Sequence, residues 1–315
     1  GKSNYILGVQ GNTWSEYMYD EAKRDYMVFP RILAVAEIGW TNLDRKDYKD
    51  FERRIENAYV RLDGHAINYH IPQPEQPNGS CNFVAFTDKA SLEFKTTRPI
   101  KMVYTLDGSE PTPASTAYTA PIEITETTTL KIASVLPSGK MSPIRTIQVE
   151  KQSLAPAKEV AKTTPGLNME VTDGMYLNVE ELEAAQKETK KSVIKDLKEI
   201  CSVVKTSESM RGVNQYAAVA TGYVNIPEDG VYFISSDLEE VWIDGKLLVN
   251  NGGEVKRFSR HDSSVALAKG LHEIKAVFLG HIIGGWPSNW NDGSIKLRKS
   301  DAKEFTAITP EMLCH

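Results

Sequence analysis

The period of the hydrophobic pattern changes once along this chain, and the change falls at a proline-rich stretch. Before "IPQPEQPNGS", residues 71–80, apolar residues recur at three- and four-residue spacing; after it they alternate with polar ones. A period near 3.6 belongs to helices and a period of two to half-buried strands. The pattern thus predicts a short helical part, a linker made of the Pro, Asn, Gly and Ser residues, and a long β part.

In the helical part, Tyr48, Phe51, Ile55, Ala58, Tyr59 and Leu62 mark one face of an amphipathic helix over 47–63, with Gly64 expected to stop it. "DYMVFPRILAVAEIGWT", residues 25–41, is apolar nearly all round, so it reads as a helix buried on most faces. Pro30 is expected in its first turn or two, where a missing N–H costs nothing. "YILGVQGN", residues 5–12, reads as a short buried strand closed by Gly11 and Asn12.

In the β part, "SLEFKT", "KMVYTL", "TLKIASVL" and "IRTIQVE" alternate, with turns at Asp107-Gly108 and Ser138-Gly139. They predict a small sandwich over 81–150. "KQSLAPAKEVAKTTPG", residues 151–166, reads as a second linker, and "NVEELEAAQKETKK" as a short helix. Strands return from residue 216, with Asp244-Gly245 as a hairpin turn between two apolar runs. Residues 167–315 therefore form a second, larger all-β domain, and 315 residues suit two or three domains.

Charge and cysteines narrow the partners. The net charge is −5 and the pI about 5.8, which argues against a nucleic-acid partner needing a basic surface. No run of about 18 apolar residues occurs, so no membrane span is expected. Cys81, Cys201 and Cys314 are far apart and odd in number, so they suggest neither a disulfide framework nor a metal cluster and leave the compartment open.

Chemistry concentrates near the start, in "GVQGNTWSE", where Trp14 and Glu16 follow the expected strand. Local spacing alone leaves two readings, a tryptophan capping a core beside a solvated glutamate, or a sugar pocket. The longer pattern adds a resemblance. "ILGVQGNTWSEYM" followed by "DYMVFPRILAVAEIGWT" resembles the end of the catalytic barrel of the β-N-acetylhexosaminidases of glycoside hydrolase family 20. "VYTLDGSEPTPASTAY" with "PIEITETTTLKIAS" is similar to the immunoglobulin-like C-terminal domain of chitobiases and hexosaminidases. "TGYVNIPEDGVYFISSDLEEVWIDGKLLVNNGG" with "LAKGLHEIKAVF" resembles the protective-antigen-type β-sandwich. The expected fold class is multi-domain and mainly β. A short α/β remnant of a TIM barrel over 1–70 precedes an immunoglobulin-like sandwich over 81–150 and a larger protective-antigen-type sandwich over 167–315.

The resemblance implies that Trp14 walls the pocket of a terminal N-acetylhexosamine and that Glu16 accepts hydrogen bonds from the sugar's far hydroxyls. It implies a retaining, substrate-assisted glycosidase in which the acetamido oxygen attacks the anomeric carbon, outside the usual two-carboxylate scheme. The family's acid lies in a His-x-Gly-Gly-Asp-Glu motif that this sequence lacks. Asp20-Glu21 stands instead at a helix approach, where carboxylates favour the helix dipole. A whole barrel needs about 250 residues, so the chain is expected to be a C-terminal fragment with no catalytic residue of its own. It is expected to be inactive alone, with non-catalytic carbohydrate-binding or scaffold modules as the alternative. Further implications are a glycan partner with a terminal N-acetylhexosamine, no cofactor, and a periplasmic or extracellular location.

Other residues weigh toward packing. His65 and His70 read as surface histidines rather than metal ligands, and Asp237 and Asp244 lack the oxygen-rich company calcium wants. Trp286 and Trp290, in "GGWPSNWND", either contact glycan or plug one end of the last sandwich. Without barrel neighbours, the helices are expected to pack on each other and lean on the immunoglobulin-like domain, leaving Trp14 and Glu16 without a pocket.

Overall fold

A computed structural model describes residues 5–15, 18–77, 81–185, 187–201, 216–251, 262–280, 282–283, 286–287 and 293–315. The apolar stretch over 25–41 is two helices rather than one. Helix α1 (Glu21–Val28) starts at Asp20, whose side chain accepts from the Lys23 N–H at 2.6 Å, and α2 (Arg31–Trp40) follows. Because α1 begins before residue 25, Pro30 falls beyond its first turn. There it has no N–H to donate and its ring blocks the preceding turn, so the helix breaks.

Helix α3 (Tyr48–Gly64) is capped by Asp47, which accepts from the Asp50 N–H at 3.1 Å. Gly64 is its last residue and not its stop. The reversal falls at Ala66, with φ of 54°. The Ala66 N–H donates to the Asp63 carbonyl and the Ile67 N–H to the Leu62 carbonyl, each at 3.0 Å, the bond pair of a Schellman ending. Alanine is a poor occupant of that site. Ala66→Gly is expected to stabilise the protein by roughly 0.5–1 kcal/mol, the left-handed penalty of ~1–2 kcal/mol less the glycine entropy of ~0.4–1 kcal/mol, read as a raised denaturation midpoint.

Arg54 on α3 donates to Glu37 on α2 at 2.7 Å and to Asp50 at 2.7 Å. The apolar face of α3 turns toward the immunoglobulin-like domain, where Tyr59, Leu62, Tyr69 and Ile71 pack with Leu136. Arg98 of that domain lies 4.2 Å over the Tyr59 ring and pairs with Glu56 at 2.6 Å. His70 stands edge-on to Tyr26, with ring centroids 4.9 Å apart. Burial, with Arg31 and Arg98 adding to it, holds the His70 imidazole below its ordinary 6.5. Its folded value is depressed, so the unfolded chain takes the proton first as pH falls. Stability should therefore decline below about pH 6.5, and His70→Phe should flatten that limb of a stability-against-pH curve.

Residues 71–77 run as an extended strap against the same domain. The Ser134 hydroxyl donates to the Pro72 carbonyl at 2.6 Å, and Glu75 bridges Lys95. The domain itself holds β1 (Cys81–Phe86), β2 (Ala90–Leu92), β3 (Lys101–Thr105), β4 (Thr116–Ala117), β5 (Ile122–Ile124), β6 (Thr128–Val135) and β7 (Arg145–Lys151). One layer runs β4-β3-β6-β7-β1 and the other is the β2–β5 pair. Inward residues such as Phe86, Leu92, Leu130, Ile132, Ile147 and Val149 fill the space between them.

The last domain holds β8 (Leu167–Asp173), α4 (Val179–Ala184), β9 (Lys190–Ile194), β10 (Tyr216–Ile226), β11 (Gly230–Ser236), β12 (Glu240–Ile243) and β13 (Lys246–Asn250). It continues with β14 (Asp262–Leu267), β15 (Gly270–Gly280), β16 (Ile282–Ile283), β17 (Trp286–Pro287), β18 (Ile295–Lys299), β19 (Thr306–Ala307) and β20 (Leu313–Cys314). Strands β9-β8-β10-β15-β12-β13 form one sheet, β14-β11-β18-β19 the facing one, and β13 pairs with β14 where they join. Residues from both meet in one core, among them Met169, Ala220, Val241 and Ile274 from one side and Ile234 and Leu297 from the other. The β12–β13 hairpin turns at Asp244 (φ 48°) and Gly245 (φ 74°), as the Asp-Gly pair predicts. The short helix expected within 178–191 is α4, over 179–184, while Lys190 and Lys191 belong to β9, paired with β8.

Neither expected linker is a free tether. In 151–166 the Lys158 N–H donates to the Leu271 carbonyl at 2.8 Å, and Thr164 and His315 exchange backbone bonds at 2.8 and 2.9 Å. The two β domains also share a sheet, because β1 lies parallel to β7 on one side and to β14 on the other. The Ala85 N–H donates to the buried Ser264 hydroxyl at 2.6 Å across that seam.

Candidate functional site

The segment that carries Trp14 is not a strand. Among residues 5–15 no ladder pairing occurs, and Ile6 and Leu7 are 72% and 102% exposed. The reason is physical: a buried strand needs hydrogen-bonding neighbours on its edges, and the described residues offer none here. The segment instead lies along α2. A Cβ on Gly39 would sit 3.1 Å from Val9, and one on Gly11 would sit 3.2 Å from Val35. The two glycines allow that approach.

Trp14 is 72% exposed, so its indole is a free surface and not the wall of a closed pocket. Glu16 lies outside the described residues. The nearby acidic pair is committed elsewhere, since Asp20 caps α1 and Glu21 pairs with Arg24 at 2.7 Å. Trp290 also lies outside the described residues, and Trp286 is placed only as backbone in β17, paired with Ile283.

Among the described histidines, His70 and His272 serve packing. His70 packs edge-on against Tyr26, and His65 stands exposed at the C-terminal end of α3. Asp244 accepts from the Glu273 N–H at 3.0 Å and bonds His272 Nδ1 at 2.6 Å, and the other nitrogen of that fully buried ring bonds the Ala268 carbonyl at 2.8 Å. Asp244 thus ties its hairpin to β15. Among the described residues no three His, Cys, Asp or Glu side chains gather as a metal site.

A concave surface that the sequence reading passed over lies on the outer sheet of the last domain. It is a groove of about 690 Å³ beside α4, with Trp242 and Tyr223 in its lining. Its signal in the sequence was the outward register of "EVWI", in which Val241 and Ile243 point inward and Trp242 out.

Residues 1–43 match the glycosyl hydrolase family 20 catalytic domain, 85–146 the chitobiase/beta-hexosaminidase C-terminal domain, and 175–309 the PA14 domain. A beta-hexosaminidase of Porphyromonas gingivalis is 48% identical over 312 residues, covering 99% of this chain and 40% of that protein. A beta-hexosaminidase of Vibrio vulnificus is 38% identical over 70 residues, 22% of this chain and 8% of that one. Among solved structures, the PA14 domain of the MpAFP antifreeze protein aligns with a TM-score of 0.34 at 14% identity, over 52% of this chain and 95% of that one. The chain spans well under half the length of either hexosaminidase. It carries, in order, the end of a family 20 glycosyl hydrolase catalytic domain, a chitobiase/β-hexosaminidase C-terminal domain and a PA14 domain, the build of a β-hexosaminidase.

Proposed function

We propose that the chain works as part of an exo-acting β-N-acetylhexosaminidase, exported to the periplasm or beyond. That enzyme releases terminal N-acetylglucosamine or N-acetylgalactosamine by substrate-assisted, retaining hydrolysis. The observation that carries the reading is the catalytic-domain match over 1–43, with Trp14 and Glu16 inside it. Trp14 offers an indole to the C–H face of the sugar, and Glu16 offers carboxylate oxygens to its hydroxyls. The acid and the acetamido-orienting carboxylate come from other parts of the enzyme, since Asp20 and Glu21 are engaged in the start of α1.

The exposed surface agrees with this. Leu7 and Trp14, on the segment along α2, and Trp40, at the end of α2, are 102%, 72% and 90% exposed. Large apolar side chains this exposed suit a contact surface, and the remaining units of a catalytic barrel would cover them.

The test compares this chain with a longer enzyme containing it, on a chromogenic N-acetylglucosaminide. The longer enzyme turns the substrate over and this chain does not. Turnover by this chain, abolished by changing one of its own residues, would overturn the reading.

A further inference from the structure

A cavity of about 390 Å³ lies at the seam between the two β domains. The immunoglobulin-like domain lines it with Phe86 and Leu92, and the last domain with Val231, Phe233, Arg298 and Phe305. Tyr232, Ile234 and Leu297 point into the core of the last domain, so Phe233 and Arg298, their strand neighbours, point out of it toward the seam. The two stand opposite each other across the β11–β18 ladder.

Arg298 is 7% exposed. Its guanidinium lies 4.2 Å from the centre of the Phe233 ring and 5.2 Å from that of Phe305. Aromatic rings serve the faces of a planar cation, whereas its five N–H donors lie in the plane. There Nη1 donates to the Ala302 carbonyl at 3.3 Å, and Nε is buried without an acceptor.

Among the described residues no carboxylate forms an ion pair with this cation. The acids of the lining, Glu93 and Asp301, are exposed, and Asp301 reaches Lys299 at 3.7 Å. Lys89, also exposed, pairs with Glu123 at 3.0 Å. Cys81 lines the cavity too, but its Sγ–H donates to the Phe83 carbonyl at 2.7 Å, so the thiol holding that bond brings no negative charge. Burial pushes the Arg298 guanidinium below its ordinary value. A buried cation without a counter-charge is costly, and a ligand that brings one relieves that cost.

We propose that this cavity is a binding site for a small organic monocarboxylate, with its head on Arg298 and its apolar body along the phenyl and aliphatic walls. The geometry sets the class. A guanidinium edge offers paired donors to the two oxygens of a carboxylate. Small-molecule sites run from roughly 300 to 1,000 Å³, so the volume leaves room for a body behind the head. The exposed lining residues mark the mouth, where Glu93 and Asp301 repel a second negative charge and disfavour phosphates. Because the walls come from both domains, a bound acid also holds the seam together. None of this rests on the hexosaminidase reading.

The test is titration of this chain with hexanoate and with benzoate, followed by ligand-observed NMR, beside hexanamide and inorganic phosphate. At least one acid is expected to bind with a Kd of about 1 mM or tighter, and the amide and phosphate about tenfold more weakly or worse. The same acid should raise the melting temperature as its concentration rises. Arg298→Met keeps an apolar stem between the two rings and removes the charge; it is expected to weaken the acid about tenfold or more. Thr87→Trp, placed at the mouth, should do the same while leaving Arg298 intact. Melting curves show which variants are folded. Three outcomes overturn the proposal: neither acid binding up to about 10 mM, hexanamide or phosphate binding as well as the acids, or binding undiminished in Arg298→Met or, should that variant not fold, in Thr87→Trp.

Discussion

In a longer hexosaminidase that contains this chain, Glu16→Gln is expected to lower kcat/KM by about 10- to 150-fold. A hydrogen bond to an ionised group contributes roughly 1.5–3 kcal/mol, and each 1.36 kcal/mol is tenfold. The amide keeps the size of the carboxylate but loses its charge and one acceptor. Trp14→Ala should cost a similar factor, because the buried sugar face loses an apolar partner worth roughly 1.5–3 kcal/mol. The two losses differ in kind. In the proposed role Trp14 would touch substrate and transition state alike, so its loss should appear mainly in KM. A loss in kcat from Glu16→Gln would show that its bond tightens as the ring distorts toward the transition state. Unchanged kcat/KM in both variants would remove these residues from the pocket.

How far the fold was legible in the sequence depends on the length scale of each signal. The amphipathic face of α3 is a local pattern repeated over 17 residues, and it was read almost to its ends. The Asp244-Gly245 turn was read because left-handed backbone at two successive positions leaves few residue choices. Gly64 misled, since a glycine beside a helix end is a common stop, whereas here tertiary packing of Ile67 and Leu62 carries the reversal to Ala66. Residues 5–12 misled in the opposite way. Their apolar run is written for strand neighbours, and where those are lacking the same residues lie exposed along α2.

The shared sheet was not legible at all. The parallel pairing of β1 with β14 joins residues about 180 positions apart, and a parallel pair leaves no turn signature. The Trp242 groove was hidden for a related reason. Each of its residues looks like an ordinary outward position on its own strand, and only the register of four strands brings them into line.

Gly166→Ala is expected to destabilise the protein by roughly 2–4 kcal/mol, the upper part of the range for single substitutions. The position closes the strap that follows the immunoglobulin-like domain. Its N–H donates to the Leu313 carbonyl at 3.1 Å, and its own carbonyl accepts from the His315 ring at 3.2 Å. Two costs fall together here. The backbone has φ of +104°, which a side chain resists, and a Cβ would meet the Ile194 carbonyl oxygen at 2.3 Å and Val193 Cγ1 at 3.1 Å. The carbonyl belongs to β9, paired through Ile194 with Leu167, so relief of the clash breaks a ladder that anchors the edge of the sheet. The gain from a less flexible unfolded chain, ~0.4–1 kcal/mol, does not offset this. Gly245→Ala is the control, since its φ of +74° is also unfavourable but nothing lies within 4 Å of its Cβ. It should cost about 1–2 kcal/mol at most, the left-handed term alone. If the two variants shift the denaturation midpoint equally, the close packing of the strap against β9 is wrong, and residues 151–166 behave as the free linker their composition suggests.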